Sequence, residues 1–319
     1  QKLKDTNNPL YDKIDKVIFV AVPQVGPPEG IAGMLHGVSL GGGLVMHNER
    51  SRDLAKNMPT MYNLLPSAEY FKVVDPNFAS DEVISFESSS YFGAQLSQYG
   101  FHVTNETELK GYILNDDHRS IPAYADTDSP AVGNRTLYDN AQSVHAVLDK
   151  WQPASSTKLI LVAGWGEETL SGLDYSFTDK LTHTPRMVVD GDGTVVIPSA
   201  LWMATSTPGV ERWWVNLDAY ETPTTIKRAH RDILEVPNLR SFIKTKIDNS
   251  VFSDPDNFVV NATSTLKSEK PRLHFILHSP LTLGITDSFG RYTGLDPVTG
   301  EIKEEIPFCL EYHINIPWA

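Results

Sequence analysis

The sequence predicts a mixed α/β fold built on a mostly parallel sheet, with a helical insertion and a small antiparallel β-module behind it. Three observations lead there. Runs of β-branched and apolar residues at 16–23 and 158–164 do not alternate, which is the pattern of strands covered on both faces. Segments with helical character separate the strand signals, as connections between parallel neighbours require. Beyond Asp254-Pro255-Asp256 the texture becomes short β-rich pieces parted by Gly, Pro and Asp, the spacing of a small antiparallel module.

Taken in order, residues 1–15 are polar and lack the basic, apolar and small-residue order of a signal peptide. The first strand follows at once, and Gln24-Val25-Gly26-Pro27-Pro28-Glu29-Gly30 ends it with turn chemistry. Residues 31–45 are rich in small side chains and ambiguous; 48–57 reads as a short helix halted before Pro59. Met61 to Leu65 forms an apolar patch with Tyr70 and Phe71 nearby, a segment expected to belong to a lid. An amphipathic helix is expected over 134–151, and the whole of 24–154 reads as an insertion or cap. After the strand at 158–164 come a polar loop at 165–169, an apolar run from Met187 to Val189, an acidic turn, and a resumed strand at 195–197. A strand at 211–217 and a helix at 239–247 complete a first domain, 1–254. The β-module, 255–319, carries strand signals at 273–277, 281–286, 291–294, 301–306 and 310–316.

Composition narrows the function. A chain of 319 residues that is 40% hydrophobic and 21% charged has the make-up of a globular protein, and no apolar run approaches the ~18 residues of a membrane span. A formal charge of −13 argues against a nucleic-acid partner, which needs clustered Lys and Arg, and favours a neutral or apolar ligand. The single cysteine, Cys309, excludes an internal disulfide framework and a cysteine-based zinc site. The sequons at Asn105, Asn134 and Asn261 are about what chance gives a chain rich in Asn, Ser and Thr.

The chemistry concentrates in Gly191-Asp192-Gly193-Thr194-Val195, where a carboxylate sits on a tight loop at the end of an apolar run. Such a run of Asp and Gly is also simply turn material, and a calcium loop would need a closing glutamate that is missing. His230 is one of ten histidines, yet Lys227, Arg228, Arg231 and Asp232 make its surroundings a polar loop leading into Ile233-Leu234. An acid followed later in the chain by a base on a loop is the order found in α/β-hydrolases, where a buried carboxylate fixes the imidazole tautomer. Trp165 and the 61–65 patch are either packing residues or the lining of an acyl pocket.

Val20-Ala21-Val22-Pro23-Gln24-Val25-Gly26-Pro27-Pro28, Asn57-Met58-Pro59-Thr60-Met61-Tyr62-Asn63-Leu64-Leu65-Pro66-Ser67, the Gly191 to Val195 loop and Ala229-His230 together resemble lipases related to lecithin:cholesterol acyltransferase. The likeness spans about 10–247. It implies an α/β-hydrolase with a Ser-Asp-His triad acting on acyl esters of lipids, with Asp192 as acid and His230 as base, and with no metal or cofactor. In that family the nucleophile elbow precedes the strand at 17–23, and nothing in the first sixteen residues fits one. The one G-x-S-x-G, Gly37-Val38-Ser39-Leu40-Gly41, lacks a strand running into the serine and continues into Gly42-Gly43, a poor helix start. The nucleophile is therefore expected on an N-terminal segment upstream that also completes the sheet, with Ser39 as the alternative. Leu281 to Arg291 and Gly300-Glu301-Ile302 loosely resemble β-domains appended to bacterial secreted or envelope enzymes, which points to an extracellular or envelope location. The rival expectation from another class is a non-catalytic binding or adhesion protein that kept the hydrolase scaffold.

Overall fold

The computed structural model describes residues 8–38, 46–73, 82–154, 156–202, 209–220, 227–261, 284–296, 299 and 302–306. The chain divides into two compact units, Gln1–Val38 with Asn48–Ser268, and Ser39–His47 with Glu269–Ala319. In the first, strand β1 (Lys16–Val20) leads to helices α1 (Glu29–Leu35), α2 (Asn48–Asn57), α3 (Pro59–Asn63) and α4 (Tyr70–Val73). Strand β2 (Ile84–Phe86), helix α5 (Gly93–Tyr99), strand β3 (His102–Val103) and helices α6 (Glu106–Ile113) and α7 (Arg135–Leu148) follow. Next come β4 (Lys158–Trp165), β5 (Thr169–Phe177), β6 (Leu181–Val188), α8 (Ile197–Ala200), β7 (Val210–Asn216) and α9 (Leu217–Tyr220). A 3-10 segment (His230–Glu235), α10 (Pro237–Asp248) and β8 (Val259–Val260) close the unit. In the second unit β9 (Gly284–Thr286), β10 (Tyr292–Leu295) and β11 (Ile302–Glu304) form an antiparallel sheet in the order β11-β10-β9.

The central sheet has the order β1-β4-β7-β8, with β1, β4 and β7 parallel and β8 antiparallel to β7. Its middle strand explains the layering. Successive side chains of a strand point to opposite faces, so Leu159, Leu161 and Ala163 of β4 enter one core while Ile160 and Val162 enter another. The second core is closed by Leu239 and Phe242 of α10, and both faces of the sheet are covered. β1 obeys the same rule, Val17 and Phe19 packing to one side and Ile18 and Val20 to the other. All five of its residues nevertheless remain half-buried, because β1 is the edge of the sheet and its outer side pairs with no described residue.

Local chemistry sets the helix ends. Pro59 and Pro237 open α3 and α10, where a missing N–H costs nothing. Asn105 and Asn134, the asparagines of two sequons, are N-caps: their side-chain oxygens accept from Glu108 N at 3.0 Å and Leu137 N at 3.2 Å. No helix among the described residues is long and apolar enough to cross a membrane.

Several expectations are corrected. The 165–169 stretch is not simply a polar loop, since Thr169 is buried and begins β5. β5 pairs with β6 as a hairpin and with β2 on its other side, giving a second sheet in the order β3-β2-β5-β6. Residues 24–154, expected as an insertion of helices, thus supply strands as well. Residues 195–197 do not resume a strand: Val196 makes one bridge back to Gly191, and α8 then begins at Ile197 with Pro198 in its first turn. The stretch expected as a lid places Tyr62, Leu65 and Tyr70 in the main core, where aromatic and branched bulk is most stable. β8, Val259–Val260, pairs antiparallel with β7 in the central sheet. Ser39, Cys309 and the strand signals at 273–277 and 310–316 lie outside the described residues.

Candidate active site

Both predicted site residues stand at the C-terminal ends of the parallel strands, where open α/β sheets keep their functional groups. Asp192 is held against the end of β4. Glu167 N donates to Gly191 O at 3.1 Å, Gly166 N to Val189 O at 2.8 Å, and Gly193 N to the Thr169 hydroxyl at 2.8 Å. The approach is close enough to require glycine in the strand: a β-carbon on Gly164 would lie 2.7 Å from that of Asp192 and 2.9 Å from the Ile233 side chain. Gly193, at φ +91°, supplies the left-handed residue that lets the loop double back.

The Asp192 side chain is buried, and each of its oxygens has work. Oδ1 accepts from Val195 N at 2.8 Å and Thr194 N at 3.1 Å, while Oδ2 meets His230 Nδ1 at 2.9 Å. Two amide donors and an imidazole offset the several kcal/mol that an isolated buried carboxylate would cost.

His230 is placed first by its backbone, since its N–H donates to Asp192 O at 2.7 Å. Ion pairs fix the loop that carries it. Lys227 meets the buried Glu167 at 3.1 Å, and Arg228 bridges Asp232 at 3.3 Å and Glu235 at 2.7 Å. Asp232 in turn accepts from Ala229 N at 2.7 Å. The basic residues that look like a solvated run in the sequence are therefore fasteners.

The hydrogen bond that His230 donates to Asp192 raises the His230 pKa above the ordinary histidine value; partial burial opposes it, and the charges of Asp192 and Glu29 add to it. With Nδ1–H directed to the carboxylate, Nε2 carries the lone pair, and no described residue hydrogen-bonds to it. The ring keeps about a third of its surface open to solvent. A neutral imidazole oriented by a buried carboxylate, with its second nitrogen outward, is equipped to take a proton from a hydroxyl and return it to a leaving group.

Of the other candidates, Trp165 is buried in the main core, and Tyr62 and Leu65 line a cavity of ≈ 230 Å³ with Tyr138 and Ala141 of α7. Sequence reasoning missed Glu167 and Lys227. Glu167 carried a signal, because it closely follows the buried strand β4. Among the described residues no cluster of His, Cys, Asp and Glu could hold a metal ion. No protein-family model matches the chain, and no curated protein matches it.

Proposed function

We propose that this protein is a serine hydrolase of the lipase or acyltransferase type, acting on acyl esters of lipids. The observation that carries the reading is the 2.9 Å contact between Asp192 Oδ2 and His230 Nδ1, with Oδ1 already satisfied by two amides. The order of the parts supports it: strand, strand, acid, strand, base, with the three strands adjacent and parallel. So does the resemblance to lipases related to lecithin:cholesterol acyltransferase, which includes both residues.

In this reading a serine hydroxyl attacks the ester carbonyl while His230 Nε2 takes its proton. The tetrahedral intermediate collapses to an acyl-enzyme, and His230 gives the proton to the departing alkoxide. Water or an alcohol then attacks the acyl-enzyme by the same route, giving hydrolysis or transfer. Asp192 orients the ring and stabilises the imidazolium. The serine is supplied by an upstream segment that pairs along the edge of β1 left without a partner among the described residues, where a strand of Val, Ile and Phe is half-buried.

A second reading, a non-catalytic binding protein on the same scaffold, draws on the absence of a nucleophile at His230 Nε2 among the described residues. Ester turnover by the intact source protein separates the two. The enzyme reading expects turnover that His230→Ala abolishes; turnover unchanged by that substitution, or none in the intact protein, favours the scaffold.

A further inference from the structure

We infer that His145 is a proton-operated latch: its imidazolium pins the C-terminal turn of α7 to the end of α3 and lets go when the ring loses a proton. The inference stands apart from the hydrolase reading above. It begins with the partners of the ring. Nδ1 lies 2.9 Å from Asp149 Oδ1, and Nε2 lies 3.0 Å from Asn63 O. The His145 and Asp149 side chains are only 12% and 9% exposed, so the contact between them is largely withdrawn from water. A carboxylate and a backbone carbonyl both only accept hydrogen bonds, and a neutral imidazole has a single N–H to offer. Both contacts are satisfied at once only by the doubly protonated ring.

The two contacts differ in what they join. Asp149 caps α7 one turn beyond His145, and its N–H also donates to His145 O at 2.9 Å. Asn63 is the last residue of α3, so Nε2 makes the contact between two elements. When the ring gives up one proton, the remaining N–H stays with the carboxylate, the stronger acceptor, and the Nε2 lone pair is left facing the Asn63 carbonyl. Acceptor repels acceptor, and the link between α7 and α3 opens. That turn buries little of its own apolar surface, since Val144, Val147 and Leu148 are all exposed. The other end of α7 is tied without His145: Asn134 N donates to the Tyr62 hydroxyl at 2.6 Å, and that hydroxyl donates to Lys56 O at 2.6 Å. The latch therefore controls one end of the ≈ 230 Å³ cavity between α7 and the 62–69 segment, whose wall includes His145 and Asp149.

The charges around the ring favour its protonated form. Burial opposes the imidazolium, but the hydrogen bond to Asp149, the charge of Asp149, the Asn63 carbonyl and the charge of Glu106 on α6 outweigh it, and the His145 pKa is raised. Lys110, also on α6, is paired with Asp139 at 2.8 Å. Glu69 and Lys150 share the cavity wall, and Glu69 is paired with Lys72 at 2.6 Å. From α3 the only titratable side chain is Tyr62. Because the folded pKa lies above the unfolded one, the stability the latch adds is fully present below the unfolded value and is lost as pH rises through the folded value.

The test follows the protein from pH ~5 to ~9 by two readouts. One is NMR titration of the His145 ring nitrogens; the other is amide hydrogen exchange, expressed as protection factors so that the intrinsic pH dependence of exchange is removed. The expected result is a His145 pKa above the ordinary 6.5, with protection at 145–149 falling about tenfold or more through that pKa while 135–141 keep theirs. Asp149→Asn should shift both midpoints together to lower pH, and His145→Gln should leave 145–149 weakly protected at every pH. Protection that stays constant while His145 titrates overturns the latch, as does a His145 pKa at or below 6.5. A loss spread equally along α7 overturns it too, because the whole helix would then be unfolding. Should either variant fail to fold, the wild-type protein still decides: the two midpoints must coincide, and midpoints that differ overturn the inference.

Discussion

Burying a carboxylate such as Asp192 away from solvent is costly unless donors replace the lost water, and three converge on it here. The partner records this as a raised pKa, with two consequences of known sign. The raised pKa shifts the base form of His230 to higher pH than in an unperturbed histidine, so activity should rise with pH along a limb displaced upward from the ordinary histidine one. Asp192→Asn should move that limb down and lower kcat by about 10³- to 10⁴-fold, read from pH–rate profiles. The pair's contribution to stability is fully present below the unfolded histidine pKa and is lost as pH rises through the folded value. His36 shows the opposite case. Burial, the stacked His183 ring 3.6 Å away and nearby arginines lower its pKa to about 3, partly offset by the Thr127 carbonyl. Neutral His36 contacts the Tyr175 hydroxyl at 2.6 Å and Thr127 O at 2.8 Å. Below the unfolded pKa, stability should therefore fall by up to about 1.4 kcal/mol per pH unit on this account. Urea denaturation between pH ~6 and ~4 should show that slope, and His36→Gln should flatten it; an unchanged slope would contradict the assignment.

Elements position these residues through contacts that local pattern does not announce. Gly164 reads as one more small residue in an apolar strand, yet its missing side chain is what admits Asp192. Gly164→Ala should cost about 1–3 kcal/mol and shift the His230 NMR signal, whereas a stability change without that shift would separate the strand from the site. Arg52 on α2 is buried and donates to the carbonyls of Ala123, Tyr124, Asp126 and Ser129, holding a loop without secondary structure against the helix. A lysine cannot reproduce that planar fork, so Arg52→Lys should open 123–129 to limited proteolysis at unchanged far-UV CD; protection equal to the wild type would contradict it. The same contrast explains what was legible. Strands β1, β4 and β7 and helices α2, α7 and α10 announce themselves because burial on two faces or one stripe leaves a period in the residues. β5 and β6 do not: Gly172, Asp174 and a bulge between Leu170 and Gly172 break one pattern, and Pro185 breaks the other. The sequence offered Asp192 and His230 as a carboxylate on a tight loop and a later histidine on a polar loop, which do meet, while the Glu167–Lys227 ion pair was not legible, since it exists only once distant loops meet.

At the scale of the molecule, a three-layer first unit presents the paired Asp192 carboxylate and His230 imidazole at one end of its parallel strands and leaves one sheet edge, β1, without a partner among the described residues. An apolar strand with one free edge invites pairing, and a neighbouring parallel strand there would end at the same rim as Asp192 and His230. The most direct measurement of the central claim is covalent labelling of the intact source protein with a serine-directed probe, followed by mapping of the labelled peptide in the wild type and in His230→Ala. The predicted result is one labelled serine, upstream of residue 1, whose labelling is lost with His230. Labelling at Ser39 would move the nucleophile into this chain, and labelling that persists without His230, or none at all, would contradict a hydrolase built on this pair.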